Sequence, residues 1–597
     1  MPPRGGLDTI GARAVKNVST KPVHTFGILG DTPMNHGQRL FRSGLGSSLL
    51  PSPSAAVLPA CGGADDAPPP APPTAPAVAA TANGPVQSVD RLGMRSYFGI
   101  PYAKPPLAAL RWTPPQAPDK WTTAIAKTQS ASPCLQTSAS PFRLTGDSED
   151  CLYLDVHAPT GAGPFPVMVW IHGGAFNTGG TATYGDPSPL VSKGVIVVNI
   201  AYRLGAMGFL GHPALADTAG AVGNYGIMDQ QAALKWVQDN IAAFAGDKAN
   251  VTIFGESAGG MSVLTHLASP GSKGLFAKAI VQSGAYGVNG QLSVADLKTK
   301  STKVVADTLT AAAATVTCAT VDAACLRGLP ESVVRAQLAT AFNASMSSPV
   351  PSVDGKVLPL SIRATFEAGS NNQVPLINGS NEDEYALFVA ITELLKRAAN
   401  APAPVLTQAG YEASVAGTLV DPTATAGALA AYPSASYGTD PVQQPSLAYS
   451  AFGTDLVFAC NGLNVSKGVQ KQSTPLWMYE FRDQTALPSV GLTSTGTYTL
   501  SFPQGAAHSY EIQYLFKLRD LGNAERNALQ TTMSQYWVNF AKAGNPNTGA
   551  TVPAWAGFGT GAVQYLDVAA GGGVTSSTAT AFSAQHKCGT VWPSLAF

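Results

Sequence analysis

Charge is scarce in this chain. Only 12% of its 597 residues are Asp, Glu, Lys or Arg, and the formal net charge is zero. With no basic stripe to neutralise phosphates, nucleic-acid binding has no electrostatic footing. Long apolar runs are missing as well. No stretch of 18 or more apolar residues occurs in the body of the chain, which removes a membrane-spanning helix from the expectations. The cysteines number seven and none are spaced as C-x₂-C, so they supply no zinc pattern. Histidines number eight, a scarcity that narrows any assignment resting on imidazole. No internal repeat is evident.

What is present is enough apolar and aromatic material, 45% and 8%, for a substantial core. The front of the chain does not belong to it. Residues 1–32 have no sustained periodicity. From Met34 the pattern changes: Arg39 and Arg42 form a basic region, and residues 45–58 are weakly apolar, interrupted by Pro51 and Pro53. Leu58-Pro59-Ala60-Cys61-Gly62-Gly63 then resembles a bacterial lipoprotein signal, in which cleavage before Cys61 leaves its thiol to carry lipid. On that reading residues 1–61 are upstream sequence and signal, translation begins at Met34, and the mature protein has a lipid anchor to a membrane. A disordered tail with a chance cysteine is the alternative. Residues 62–85, rich in Ala, Pro and Asp, bury too little surface to offset their ordering entropy and read as a tether.

The rest is organised around Phe254-Gly255-Glu256-Ser257-Ala258-Gly259-Gly260, a Gly-x-Ser-x-Gly element. The run Val251-Thr252-Ile253-Phe254 before it predicts a buried strand, and residues 261–267 after it carry apolar side chains at helical spacing. A serine on so tight a strand-to-helix turn takes a strained backbone, and Gly255 and Gly259 let neighbouring chain pass close. The turn lifts the hydroxyl clear of the sheet, and the helix start offers a free N–H to a developing oxyanion. Residues 166–171 and 195–200 are near-continuous apolar runs, the composition of strands buried on both faces of a mostly parallel sheet. Residues 230–241 read as an amphipathic helix. The alternation predicts a doubly wound α/β domain. The Ala-, Pro-, Ser- and Thr-rich residues 398–449 are expected in the region covering the site.

Several motifs share one resemblance. Ser96-Tyr97-Phe98-Gly99-Ile100-Pro101-Tyr102-Ala103-Lys104-Pro105-Pro106 with Leu110-Arg111-Trp112 is similar to the opening of the carboxylesterase type B family, which includes the cholinesterases. The likeness continues through Glu149-Asp150-Cys151-Leu152-Tyr153-Leu154-Asp155-Val156, Ile171-His172-Gly173-Gly174-Ala175-Phe176, the segment from Ala201 to Phe209 and that from Gly223 to Gln231, and reaches the serine turn. It covers nearly all of residues 86–597 and is densest before Gly284. It implies an α/β-hydrolase fold, a mostly parallel central sheet flanked by helices, with 86–597 as one catalytic domain. It also implies hydrolysis of a small-molecule ester with no metal or organic cofactor.

A serine hydroxyl is a weak nucleophile until a base takes its proton, and the base needs an acid. In the α/β-hydrolase order the acid and then the histidine follow the serine. His24, His36, His157, His172 and His212 precede Ser257, and His266 lies on the helix after it. His508 and His586 remain. His508 sits in a small-residue loop entering a helix, Gly505-Ala506-Ala507-His508-Ser509-Tyr510-Glu511-Ile512, that matches the family's histidine segment; His586, beside Cys588, has no comparable surroundings. Order and motif both select His508. For the acid, Ile377-Asn378-Gly379-Ser380-Asn381-Glu382-Asp383-Glu384-Tyr385 follows an apolar stretch, so its carboxylates stand at a strand end; a solvated acidic loop is the alternative. Aligned with the family's Asn-x-Asp-Glu segment, Glu384 is the triad member and Asp383 the runner-up. Tyr385 stands where the family commonly has glycine.

By the same resemblance the oxyanion hole is formed by the N–H groups of Gly174, Ala175 and Ala258, with Ala175 replacing a frequent glycine. The resemblance also pairs Cys134 with Cys151, Cys318 with Cys325, and Cys460 with Cys588; otherwise the six are buried thiols. Paired, they require an oxidising compartment, in keeping with export to the bacterial periplasm, the outer membrane or the medium. A non-catalytic adhesion homologue would lack the nucleophile. A cholinesterase carries an aromatic choline platform between the first two cysteines, where this chain has no tryptophan. A lipase or an esterase for aromatic or polymeric esters stays open, as does the oligomeric state.

Overall fold

The structure, a computed structural model, describes residues 74–136, 142–346, 349–399, 405–419, 421–488, 500–549 and 552–595. Cys61 and the expected lipoprotein signal lie outside the described residues. The described strands are β1 (Val78–Ala80), β2 (Pro85–Gln87), β3 (Val89–Arg91), β4 (Met94–Pro101), β5 (Tyr153–Pro159), β6 (Phe165–Ile171), β7 (Ile196–Ile200), β8 (Gly246–Glu256), β9 (Lys278–Gln282), β10 (Leu376–Asn381), β11 (Leu476–Phe481), β12 (Ala562–Leu566) and β13 (Thr575–Thr578). β1 and β2 pair with each other. The other eleven form one sheet in the order β13-β12-β11-β10-β9-β8-β6-β7-β5-β4-β3. Neighbours from β7 through β6 and β8 to β12 run parallel, and the strands outside them are antiparallel.

The continuous apolar runs follow from this arrangement. Side chains of a strand alternate between faces. Val167, Val169 and Ile171 of β6 join one core with Ile253, while Met168 and Trp170 join the other with Phe254. Both faces are covered by helices, so neither set needs polar relief. The helix expected at 230–241 spans Tyr225–Asn240. Its start is fixed by Asn224, whose left-handed backbone is held by two hydrogen bonds to Ser352, 2.8 and 2.9 Å long. Tyr225, Gly226 and Ile227 are all buried, so this first turn carries no amphipathic signal.

The described part of the expected tether, from Thr74, is packed. Ala75 and Ala79 are buried, Ala82 N donates to Asn240 Oδ1 at 2.8 Å, and Ser88 N donates to Ala77 O at 2.8 Å. From Thr74 onward the chain belongs to the folded unit, because alanines that pack look the same in composition as alanines that link. Residues 398–449 include the helices Gln408–Leu419 and Pro422–Ala431 and the start of Gln444–Gly453, and Tyr449 of the last meets Tyr385 edge-on at 5.6 Å. No described helix is long and apolar enough to cross a membrane.

Three disulfides join Cys134 to Cys151, Cys318 to Cys325 and Cys460 to Cys588. The last spans 128 residues, a ring whose closure takes about 5 kcal/mol of entropy from the unfolded chain in the loop-entropy account. Thiol titration of the folded, unreduced protein is expected to detect none of these six cysteines. Finding six would refute the pairing.

Candidate active site

β8 runs through the middle of the sheet and ends at Glu256. Ser257 follows with φ 57° and ψ −121°, the reversal that sends the chain into the helix Ala258–Ala268. The turn sits against the end of β6: a Cβ at Gly259 would fall 1.9 Å from Ile171 O, and one at Gly255 2.6 Å from the same atom. Ser257 N donates to Gln282 O at 2.9 Å, tying the turn to β9.

The second loop leaves β6. His172 is buried, stacks on Tyr202 at 4.5 Å, and is held by burial down to about 4, a neutral packing residue. Gly174, Ala175 and Phe176 follow with φ of 107°, 53° and 57°. The backbone of this loop thus has positive φ at three successive residues. Phe176 is kept in it by burial against Phe209, 5.0 Å away. Among the described residues none accepts a hydrogen bond from the backbone N–H of Gly174, Ala175 or Ala258.

β10 ends at Asn381, and the three carboxylates after it part company. Glu382 meets Arg482, and accepts from Gln484 at 2.9 Å and from Gln585 at 3.0 Å. Asp383 Oδ2 accepts from Ala506 N at 3.0 Å and from Gln484 Nε2 at 2.7 Å, and burial lifts its pKa to about 6. Glu384 turns inward and is fully buried. Its Oε1 accepts from Asn381 N at 2.9 Å, and its Oε2 lies 2.5 Å from His508 Nδ1. Glu384 is thus the carboxylate against His508, and Asp383 is not. Tyr385 has φ −77°, so nothing there requires glycine. Its ring occupies the space over Gly453, where a Cβ would lie 2.2 Å from Tyr385 Cγ.

The other edge of the imidazole faces the serine turn. His508 Nε2 stands 3.1 Å from Glu256 Oε1, though off the line of a hydrogen bond. Acid, histidine and serine turn are therefore gathered in one place, while no described hydrogen bond joins Ser257 Oγ to Nε2. Hydrogen bonds of this kind are commonly loose before substrate binds.

Two carboxylates at the site were missed in sequence reasoning. Glu256 precedes the serine, and Glu511 accepts from Gln282 Nε2 at 3.0 Å and Asn381 Nδ2 at 2.8 Å. Burial raises Glu256 to about 8, with His508 opposing and Glu511 and Glu384 adding to the rise. Burial alone would lower His508, but Glu256, Glu384 and Glu511 outweigh it and lift the ring to about 9. Both sit inside quoted motifs; for Glu256 an acid closing an apolar strand was the available signal, whereas Glu511 lies in the helical turn Tyr510–Tyr514 and carries no such mark. His586 also has surroundings the sequence did not disclose. Its Nδ1 lies 2.6 Å from Asp455 Oδ1 and its Nε2 against Glu480, groups 131 and 106 residues away. Among the described residues no three His, Cys, Asp or Glu are grouped to hold a metal ion.

The sequence profile of the carboxylesterase family matches residues 75–585. The para-nitrobenzyl esterase of Bacillus subtilis (strain 168) is 34% identical over 496 residues, covering 79% of this chain and 91% of that protein. The fumonisin B1 esterase of Sphingopyxis macrogoltabida is 34% identical over 490 residues, 79% of this chain and 82% of its own. Liver carboxylesterase 1 of Oryctolagus cuniculus is 32% identical over 505 residues, 77% and 83% of the two chains. The matched span takes in the serine turn, the glycine-rich loop and the Glu384–His508 pair alike. The chain belongs to the carboxylesterase family and is a carboxylic ester hydrolase of the α/β-hydrolase fold.

Proposed function

We propose that the hydrolysis runs through Ser257, His508 and Glu384 and passes through an acyl-enzyme. The observation that carries this reading is the 2.5 Å contact of Glu384 with Nδ1 of an imidazole whose other nitrogen faces the serine turn. Ser257 Oγ attacks the ester carbonyl carbon while Nε2 takes its proton. The carbonyl oxygen becomes an oxyanion and receives hydrogen bonds from the N–H groups of Gly174, Ala175 and Ala258. The C–O bond to the alcohol then breaks, and His508 returns the proton to the departing alkoxide. Water, losing a proton to His508, attacks the acyl carbon, and Ser257 leaves with that proton as the acid is released. Glu384 holds the ring in the tautomer that leaves Nε2 free to accept, and stabilises the imidazolium in between.

A relative named for para-nitrobenzyl esters suggests activated aryl and benzyl esters as probes. A stopped-flow burst of nitrophenolate equal to the enzyme concentration is expected, with the acyl mass on the peptide carrying Ser257. Acyl mass on another residue would overturn the assignment. A series of acyl lengths run in parallel defines the substrate class: preference for long-chain emulsified esters would make it a lipase. The disulfides suit an oxidising compartment, and with the signal at Cys61 they support export. Labelled palmitate retained by a Cys61→Ser protein would sink the lipid anchor.

A further inference from the structure

A second buried histidine lies outside the serine site. His586 follows the helix Ala579–Gln585, with Nδ1 2.6 Å from Asp455 Oδ1 and Nε2 against Glu480 Oε1. A neutral imidazole has one N–H and one lone pair, whereas ionised carboxylates only accept. Satisfying both carboxylates at once takes two N–H donors, that is, an imidazolium. The surrounding charges fit. Tyr432 donates to Asp455 Oδ2 at 2.6 Å and accepts from Trp592 at 2.8 Å, with Lys587 over its ring. Arg482 Nε lies 3.6 Å from Glu480 Oε2, and the same guanidinium binds Glu382 and covers the Tyr565 ring.

Each of the two carboxylates belongs to an element that reaches the Glu384–His508 pair. Asp455 lies in the π-helical turn Thr454–Ala459, where Thr454 Oγ1 accepts the N–H of Tyr385 at 3.0 Å. From the same turn the Phe458 ring stands 4.9 Å from the ring of His508. Glu480 is in register with Ser380 of β10, and through Arg482 it meets Glu382 in the acid loop.

We propose that His586 is a positioning residue for ester hydrolysis: its charged ring clamps Asp455 and Glu480, and through them fixes the loop carrying Glu384 and the aromatic wall beside His508. The inference rests on the Glu384–His508 reading above. Without the cation two buried carboxylates face each other, and either repulsion or uptake of a proton loosens the clamp. Burial alone would lower His586, but Glu480 and Asp455 outweigh it and lift the ring to about 10. The folded value exceeds the ordinary 6.5. The clamp's contribution to stability is therefore complete below that pH and is lost as pH rises through about 10.

The test is the kinetics of His586→Gln on a nitrophenyl ester across the alkaline range. Expected is a fall in kcat of up to about 10²-fold, the scale of a small misplacement of catalytic groups, with KM little changed. The wild-type kcat should decline as His586 loses its proton, a limb absent from the variant. The His586→Gln/Glu480→Gln enzyme, which removes the stranded charge with its partner, should regain most of the loss. A folded His586→Gln enzyme with wild-type kcat and an unchanged alkaline limb overturns the proposal, even if it melts earlier. Should the variant not fold, ¹⁵N-histidine spectra of the wild type decide. Two ring N–H groups at neutral pH, lost in step with kcat, support the clamp; a singly protonated ring, or a kcat indifferent to its titration, overturns it. Glu384→Gln serves as comparator. If that variant is fully active the underlying reading fails, whereas if it is crippled and His586→Gln is not, only the clamp fails.

Discussion

Replacing Ser257 by alanine is expected to lower kcat about 10⁶-fold, the scale seen when a serine hydrolase loses its nucleophile. Ser257 sits alone on the reversal between β8 and its helix, and Glu256 beside it is buried and raised to about 8, a poor nucleophile at neutral pH. Alanine keeps the backbone of the turn and its bond to Gln282, so fold and disulfides should persist, which circular dichroism and thiol titration check. Residual turnover would come from the proposed oxyanion donors and substrate binding alone. A decrease of tenfold or less would mean that another group carries the acyl transfer.

Glu384→Gln comes next in size, at about 10⁴-fold in kcat, by analogy with loss of the acid in other serine triads. An amide at this position can offer the ring an N–H where the ring itself needs an acceptor, so the wrong tautomer is favoured. Asp383→Asn is the control: its partners are Gln484 and Ala506, and most activity should remain. The pH profile carries a sign as well. His508 must be neutral to act as base, and its neighbours raise it to about 9, so kcat/KM should climb with pH beyond the ordinary histidine range. Glu384→Gln removes one of the raising carboxylates, and its residual activity should climb at lower pH. A limb that stays in place would assign it to another group.

Much of the sheet was legible because parallel strands buried on both faces leave uninterrupted apolar runs, as in β6 and β7. The serine turn was legible for a different reason, since the close approach of Ile171 O leaves glycine as the only fit at Gly259. The choice of Glu384 over Asp383 came from the family likeness and not from the local residues. Adjacent carboxylates at a strand end differ only in where the backbone turns them, and that depends on Ala506, Gln484 and His508, all more than 100 residues further along. The partners of His586 were not legible because its acids come from two other segments. The packed alanines before Val86 escaped notice because composition does not separate an alanine in a core from one in a linker.

The order of the central strands has a consequence for when activity arises. The serine comes from β8, the acid from the end of β10 and the histidine from a loop 124 residues beyond that acid. Under the proposed mechanism a growing polypeptide holds its nucleophile long before its base. Synthesis must pass Ala507 and His508, and β9, β10 and β11 must close on β8, before any ester can be cut. The enzyme is silent for most of its own making, and first turnover marks the docking of β9, β10 and β11 on β8.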